Sequence, residues 1–133
     1  MHNHVKSIVE ECSKGSEENR LNFPQVIAKL AEAGVEGYFA DLRRSNKIYY
    51  LPDGTSIEMA SAPVEFPVAA TFDATGVETA VRQAQRSEIT YRIFCESVMA
   101  AGCAGYLVSL PGRRVVYFGR TAELHVEHFP SAN

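Results

Sequence analysis

The 133-residue sequence lacks most features that would identify a function directly. It has no tryptophan, and its three cysteines lack CxxC spacing, which excludes a disulfide framework and a zinc ribbon. No apolar run approaches the ~18–20 residues that cross a bilayer, and no signal peptide opens the chain. The net charge is 13 − 16 = −3, whereas nucleic-acid binding needs clustered Lys and Arg. We therefore expect a soluble cytoplasmic protein that binds neither membranes nor nucleic acid.

Catalytic signatures are missing as well. No glycine-rich phosphate loop, GxSxG elbow, HExxH or paired-carboxylate motif occurs, so no cofactor is expected and an enzyme is disfavoured. What the sequence does contain is typical of one globular domain: 46% apolar and 22% charged residues over a length near the usual domain size.

An internal repeat is the strongest pattern in the sequence. When residues 33–50 are shifted by 68 positions onto 101–118, six of 18 positions are identical, where about one would match by chance. The shared residues are Ala33, Gly34, Gly37, Tyr38, Leu42 and Tyr49. We predict a single domain, 1–133, made of two repeats at about 1–62 and 69–133 that are joined by an extended linker, 63–68.

Each half has the pattern of two helices followed by three strands. Asn22 with Gln25 predicts the start of the second helix, Thr90 takes the same cap position in the second half, and Gly34 and Gly102 end these helices. The prediction is an α+β fold of duplicated ααβββ units, with antiparallel strands and pseudo-twofold packing. Where a second glycine is expected in the last turn, the chain has Ala122.

The strands are apolar on both sides. Tyr38 and Leu42 point one way and Phe39 the other, just as Phe118 opposes Tyr117. A strand with one solvated face should alternate more cleanly. Either the helices and the other half cover both faces, or part of the second face is a dimer interface or a ligand pocket.

Tyrosines recur at equivalent positions of both halves: Tyr38 with Tyr106, and Tyr49 with Tyr117. Related halves bring such rings together across a pseudo-twofold axis, where they form either plain core or an aromatic pocket. In the second case the polar groups that orient a ligand are Asp41, Arg114 and Arg120.

The cluster near the C-terminus is the best candidate for chemistry. His125 and Glu127 share a strand face and suit a general base and its partner, whereas His128 points to the other face. A metal site using His125 and His128 has too few ligands, and the alternative is an exposed polar strand. Cys103 is a weak nucleophile candidate beside His125, since it follows the C-terminal end of a helix, where the dipole does not lower a thiol pKa.

Two segments carry a family resemblance. The stretches 83–106, QAQRSEITYRIFCESVMAAGCAGY, and 114–130, RVVYFGRTAELHVEHFP, resemble the YbcV-like family of small bacterial and prophage-associated proteins. Some of its members carry the label phage envelope protein, which an acidic chain without a membrane segment does not support. The family is one of unknown function, so the resemblance implies no catalytic residues.

Two functional hypotheses follow. The first is a non-enzymatic module that binds a small molecule or a protein and acts as a homodimer. The second is a small enzyme with its site at the seam between the halves, using His125 and Glu127.

Overall fold

The computed structural model describes residues 3–130, and its elements follow the predicted order of two helices and three strands, twice. The first set comprises α1 Asn3–Glu17, α2 Phe23–Glu32, β1 Gly37–Asp41, β2 Asn46–Tyr50 and β3 Ser56–Ala60. The second set comprises α3 Ala74–Gln85, α4 Tyr91–Ala100, β4 Cys103–Ser109, β5 Arg114–Gly119 and β6 Leu124–His128.

All six strands form one antiparallel sheet in the order β3-β2-β1-β4-β5-β6. The first strands of the two sets pair at its centre, with Phe39 opposite Leu107. The cross-strand partners in β1–β2–β3 become those in β4–β5–β6 when 68 is added to each number: Tyr38 faces Tyr49, and Tyr106 faces Tyr117. The α+β class and the antiparallel pairing predicted from sequence are therefore confirmed.

The helix ends follow the local signals in the sequence. Asn22 Oδ1 accepts a hydrogen bond from Gln25 N at 3.0 Å, and Gln25 Oε1 accepts one from Asn22 N at 2.9 Å, which makes a complete capping box. Thr90 Oγ1 accepts from Ile93 N at 3.2 Å at the start of α4. Gly34 and Gly102 follow α2 and α4 at φ of 86° and 90°, a conformation that glycine adopts without a steric penalty.

The helices and the sheet form two layers. One face of the sheet packs against all four helices, and its buried side chains include Tyr38, Tyr49, Tyr106 and Tyr117. The other face has an apolar central row with polar residues beside it, and this row belongs to no core cluster among residues 3–130. Its central row runs across five strands as direct cross-strand neighbours: Ile48, Phe39, Leu107, Val116 and Val126. The strands thus carry apolar residues on both sides, as predicted. The helices cover one side of the sheet, and no described element covers the other.

The segment between the two sets has no helix or strand over 61–69. It is held against the domain, since Glu17 Oε1 accepts a hydrogen bond from Ala62 N at 2.8 Å, and Val64 and Val68 pack on the core. The predicted linker, 63–68, lies within this stretch. The division at 1–62 and 69–133 stays a prediction.

Three turns place a residue in the left-handed region at equivalent positions of both sets. Asn19 corresponds to Ser87 and Ser45 to Arg113, all at positive φ. In the third pair the first set has Gly54 at φ 92°, whereas the second has Ala122 at φ 69°. Ala122, which stands where the sequence pattern leads us to expect glycine, therefore has a strained backbone.

We predict that Ala122→Gly stabilises the protein by about 0.5–1 kcal/mol, because relief of the left-handed alanine outweighs the added freedom of the unfolded chain. The measurement is the free energy of unfolding in urea. Ala70→Gly, at an exposed loop alanine without positive φ, is the matched control and should destabilise slightly. Equal effects of the two substitutions would contradict the explanation.

Candidate functional site

A cavity of about 580 Å³ lies between the helices and the inner face of the sheet. Its lining comes from both sets of elements and includes buried residues as well as exposed ones such as Asn22, Phe23 and Glu88, so the cavity extends from the surface into the core. Five of the six tyrosines in the chain line it: Tyr38, Tyr49, Tyr91, Tyr106 and Tyr117. This volume is typical of small-molecule sites.

The tyrosine rings form one connected cluster. Tyr38 and Tyr49 have centroids 5.0 Å apart, Tyr106 and Tyr117 are 5.5 Å apart, and Tyr38 contacts Tyr106 edge-on at 6.3 Å. The hydroxyls of Tyr91 and Tyr106 share a hydrogen bond of 2.8 Å. Burial raises the pKa of Tyr38, Tyr91 and Tyr106 well above the ordinary value, so these hydroxyls stay neutral near pH 7 and serve as hydrogen-bonding groups.

Lys47 lies at the wall of this cavity with only 4% of its surface exposed. It shares the inner face of β2 with Tyr49, and its Nζ sits 4.4 Å from the centroid of the Tyr91 ring. Burial lowers the pKa of this amine, against the weaker opposing influence of Cys95 and Glu17. Within residues 3–130 no carboxylate oxygen lies within 4.0 Å of Nζ.

A smaller cavity of about 150 Å³ adjoins the first. Lys47 and Tyr91 line both cavities and so separate them. Asp41 lines the smaller one, but its Oδ1 accepts hydrogen bonds from Arg43 N at 3.1 Å and Arg44 N at 3.2 Å, which fixes the turn after β1.

The sequence-predicted ligand residues therefore divide into three groups. Tyr38, Tyr49, Tyr106 and Tyr117 meet at the larger cavity, and Asp41 borders the smaller one. Arg114 and Arg120 line neither of these two cavities: Arg114 Nε donates to Gly112 O at 3.1 Å, and an Arg120 guanidinium nitrogen donates to Val68 O at 3.5 Å. The ligand-binding role of the set stays a prediction.

His125 and Glu127 share a face, as the alternation predicts, and are directly bonded. His125 Nε2 and Glu127 Oε2 are 2.6 Å apart, while Glu127 Oε1 accepts a hydrogen bond from Arg82 of α3 at 2.9 Å. Burial acts to raise the pKa of Glu127, but the hydrogen bonds from Arg82 and His125 outweigh it, so the pKa is lowered. Both oxygens of this carboxylate are already engaged, which makes Glu127 a weak base.

The possible metal ligands differ from the predicted pair. Glu78, His125 and Glu127 place ligand atoms within 4.8 Å of one another, whereas His128 is outside this group. Arg82 pairs with both glutamates, at 2.9 Å from Glu127 and 4.0 Å from Glu78, and already supplies the positive charge of the cluster. The group is therefore better explained as an ion-pair network, and metal binding by His125 and His128 stays an untested prediction.

Cys103 lies in the core with none of its surface exposed. Burial raises the pKa of its thiol to about 11, and its Sγ donates to Gly105 O at 3.3 Å. A thiol in this setting is protonated near pH 7, which argues against a nucleophile. Its catalytic role stays a weak prediction.

Sequence reasoning missed Lys47 and Tyr91. For Lys47 a signal existed, since it is two residues before Tyr49 in a strand and so shares that residue's face. Tyr91 follows the Thr90 cap in α4 and reaches the sheet only through the packing of the two layers, which no local pattern reveals.

Comparisons with known proteins match most of the chain to proteins of unknown function. A family model described as "Protein of unknown function (DUF1398)" matches residues 13–128. Similar curated proteins are Uncharacterized protein Mb2035 of Mycobacterium bovis and Uncharacterized protein Rv2012 of Mycobacterium tuberculosis, each 29% identical over 111 residues. The match covers 80% of this chain and 66% of each relative, so the chain spans just under two thirds of the length of these relatives. Among residues 3–130 no helix has the length and apolarity to cross a membrane.

We predict that Glu127→Gln lowers the melting temperature by a few degrees at about pH 7, because it removes charge-assisted hydrogen bonds to Arg82 and His125. The folded-state pKa of Glu127 lies below its ordinary value of 4.5, so this stabilisation is present above that value and is lost as the pH falls through the folded-state pKa. The melting temperatures of the two proteins should therefore converge as the pH falls below the folded-state pKa of Glu127.

The matched control for this substitution is Glu65→Gln in the exposed linker, where no ion pair is formed within the described residues. It should leave the melting temperature unchanged at about pH 7 and in acid. A Glu127→Gln deficit that persists undiminished in acid would show that the carboxylate charge is not its cause.

Proposed function

The chain belongs to the DUF1398 family of proteins of unknown function, and from its geometry we propose a non-enzymatic protein that binds a small molecule in the tyrosine-lined cavity and acts as a homodimer. The observation that carries the binding proposal is the cavity itself. It is large enough for a ligand and lined mainly by apolar and aromatic groups, and of its non-tyrosine polar side chains only Lys47 and Glu127 are buried.

The protonation and hydrogen bonding of the polar groups favour ligand binding over catalysis. The tyrosine hydroxyls and the Cys103 thiol have raised pKa values, and Glu127 is held by two partners. Such groups orient a ligand but transfer protons poorly near pH 7. The small-enzyme alternative rests on His125 and Glu127, of which Glu127 lines the larger cavity. If a substrate screen detects turnover, an unchanged rate after His125→Gln would rule out the small-enzyme alternative.

The binding proposal is tested with two matched aromatic probes, naphthylethanol and naphthylacetate. Because the chain has no tryptophan and five of six tyrosines line the cavity, energy transfer from tyrosine to naphthalene reports binding there. We predict saturable binding of at least one probe to the wild-type protein. Ala84→Leu, which projects into the cavity from α3, should weaken it roughly tenfold or more.

Ala28→Leu provides the control, since this exposed alanine of α2 lines neither described cavity. It should bind the probes like the wild type. Ala84→Leu should melt no lower than the wild type if it fills empty space. Absence of binding of both probes to the wild type, or binding that Ala84→Leu leaves intact, would refute the proposed site.

The open face of the sheet supports the homodimer. Leu107, Leu124 and Val126 are 38%, 59% and 42% exposed on this face, which is large for contiguous apolar side chains of a monomer. Six strands about 4.8 Å apart and five residues long span about 24 by 17 Å, a projected area of about 400 Å². Two such faces bury about 800 Å² of projected area together, which lies at the low end of the range of protein–protein interfaces and corresponds to a weak dimer.

The charges on this face favour a second copy as its occupant. Glu58 lies on β3, whereas Arg114 lies on β5 at the other side. A twofold axis parallel to the strands places the β3 side of one copy over the β5–β6 side of the other. Opposite charges then meet at the rim while the apolar rows face each other.

We predict that the wild-type protein has twice its chain mass of 14.6 kDa by light scattering at tens of micromolar. Leu107→Lys should give monomers, because it places a charge in the centre of the contact. Ile93→Lys, at a 46% exposed residue on the helical layer, is the matched control and should remain dimeric. A monomeric wild type at about 100 µM would overturn the homodimer.

Internal duplication with pseudo-twofold packing is our proposal for the origin of this fold. It is supported by the shared offset of 68 in sequence identity, in strand register and in the left-handed turns. The YbcV-like and prophage relationships and the cytoplasmic location stay predictions from sequence.

A further inference from the structure

Lys47 is a buried amine that makes direct contact with no carboxylate of the described chain. It is 4% exposed, and within residues 3–130 it has no ion pair within 4.0 Å. Its Nζ lies over the face of the Tyr91 ring, 4.4 Å from the centroid. Burial of a charged group without a partner opposes folding, so a lysine here needs another explanation than stability.

The groups around Lys47 do not neutralise it. Glu17 of α1 is the carboxylate that influences it, but Glu17 Oε1 is engaged with Ala62 N at 2.8 Å. Cys12 and Cys95 also face it, and burial raises the pKa of both thiols, so they are uncharged near pH 7. Glu17 therefore acts on Lys47 only from a distance, and within residues 3–130 no carboxylate oxygen lies within 4.0 Å of Nζ.

The second half of the chain shows that the fold itself does not require this lysine. Under the offset of 68, Lys47 corresponds to Val115, which occupies the matching place in the sheet: Lys47 pairs with Ala40 and Met59, and Val115 with Val108 and Glu127. A buried valine fills the position in one half and an amine in the other.

We propose that the cavity is selective for aromatic carboxylates, with the aromatic ring among the tyrosines and the carboxylate at Nζ of Lys47. This inference rests on the proposed binding function and names the ligand class of that site. A ligand carboxylate provides the missing counter-charge in a water-poor setting, where charge-assisted hydrogen bonds are strongest. The tyrosine rings offer edges and faces for an aromatic body.

The lowered pKa of Lys47 is consistent with this role. Burial disfavours the ammonium form in the empty site, and an adjacent carboxylate favours it. A ligand carboxylate therefore stabilises the ammonium form that burial disfavours, and a neutral ligand of the same shape lacks this interaction.

The test compares naphthylacetate with naphthylethanol, which share the same ring and nearly the same shape but differ in charge. We expect the wild-type protein to bind the carboxylate roughly tenfold or more tightly, read by tyrosine-to-naphthalene energy transfer. Lys47→Met should abolish this preference while binding of naphthylethanol persists. Lys14→Met, at an exposed lysine of α1, is the matched control and should keep the preference.

A thermal melt separates loss of the site from loss of the fold. Lys47→Met should melt at the same temperature as the wild type or higher, because it removes an uncompensated buried amine. Equal affinity of the wild type for both probes, or a preference that survives in a folded Lys47→Met protein, would overturn the carboxylate proposal and leave cavity binding intact. Failure of both probes to bind would instead refute the binding function.

Discussion

The antiparallel pairing of β1 with β4 is the contact on which the rest of the structure depends. Each ααβββ set has about 60 residues, and a unit of that size buries only about 60% of the surface its unfolded chain exposes. The β1–β4 ladder joins the two three-stranded sheets into one and lets the four helices cover a single inner face. The larger cavity lies on that shared face, and its lining comes from both sets. It therefore exists only in the joined molecule.

The two sets share a framework but differ in chemistry. Strand registers agree position by position, and the tyrosine pairs Tyr38–Tyr49 and Tyr106–Tyr117 are equivalent. The polar groups on the inner face are not. Lys47 corresponds to a valine, and Glu127 to Met59 of the first set. The cavity consequently has an amine at one wall and a carboxylate, paired with Arg82, at another. Two sets with the same strand register thus carry different polar groups at the site.

Features set by neighbouring residues were predictable from sequence, whereas features that need tertiary contact were not. The Asn22 capping box, the Thr90 cap and the glycines after α2 and α4 depend on residues a few positions apart. The tyrosine cluster was partly predictable because a repeat implies equivalent positions. The Arg82–Glu127 ion pair joins residues 45 positions apart, and the absence of a carboxylate oxygen within 4.0 Å of Lys47 Nζ among the described residues depends on how α1 and α4 pack on the sheet. Neither feature can be recognised from residues that are neighbours in the sequence.

The equal registers of the two sets have a consequence for how the chain folds. A β1 strand fits β4 of its own chain and, by the same geometry, β4 of a neighbour, so exchange of halves between chains competes with correct closure. Residues 61–73 connect β3 to α3 and keep the halves together at an effective concentration on the order of millimolar. In dilute solution β1 therefore pairs with β4 of the same chain. The connection through residues 61–73, rather than a difference between the strands, prevents exchange of halves between refolding chains.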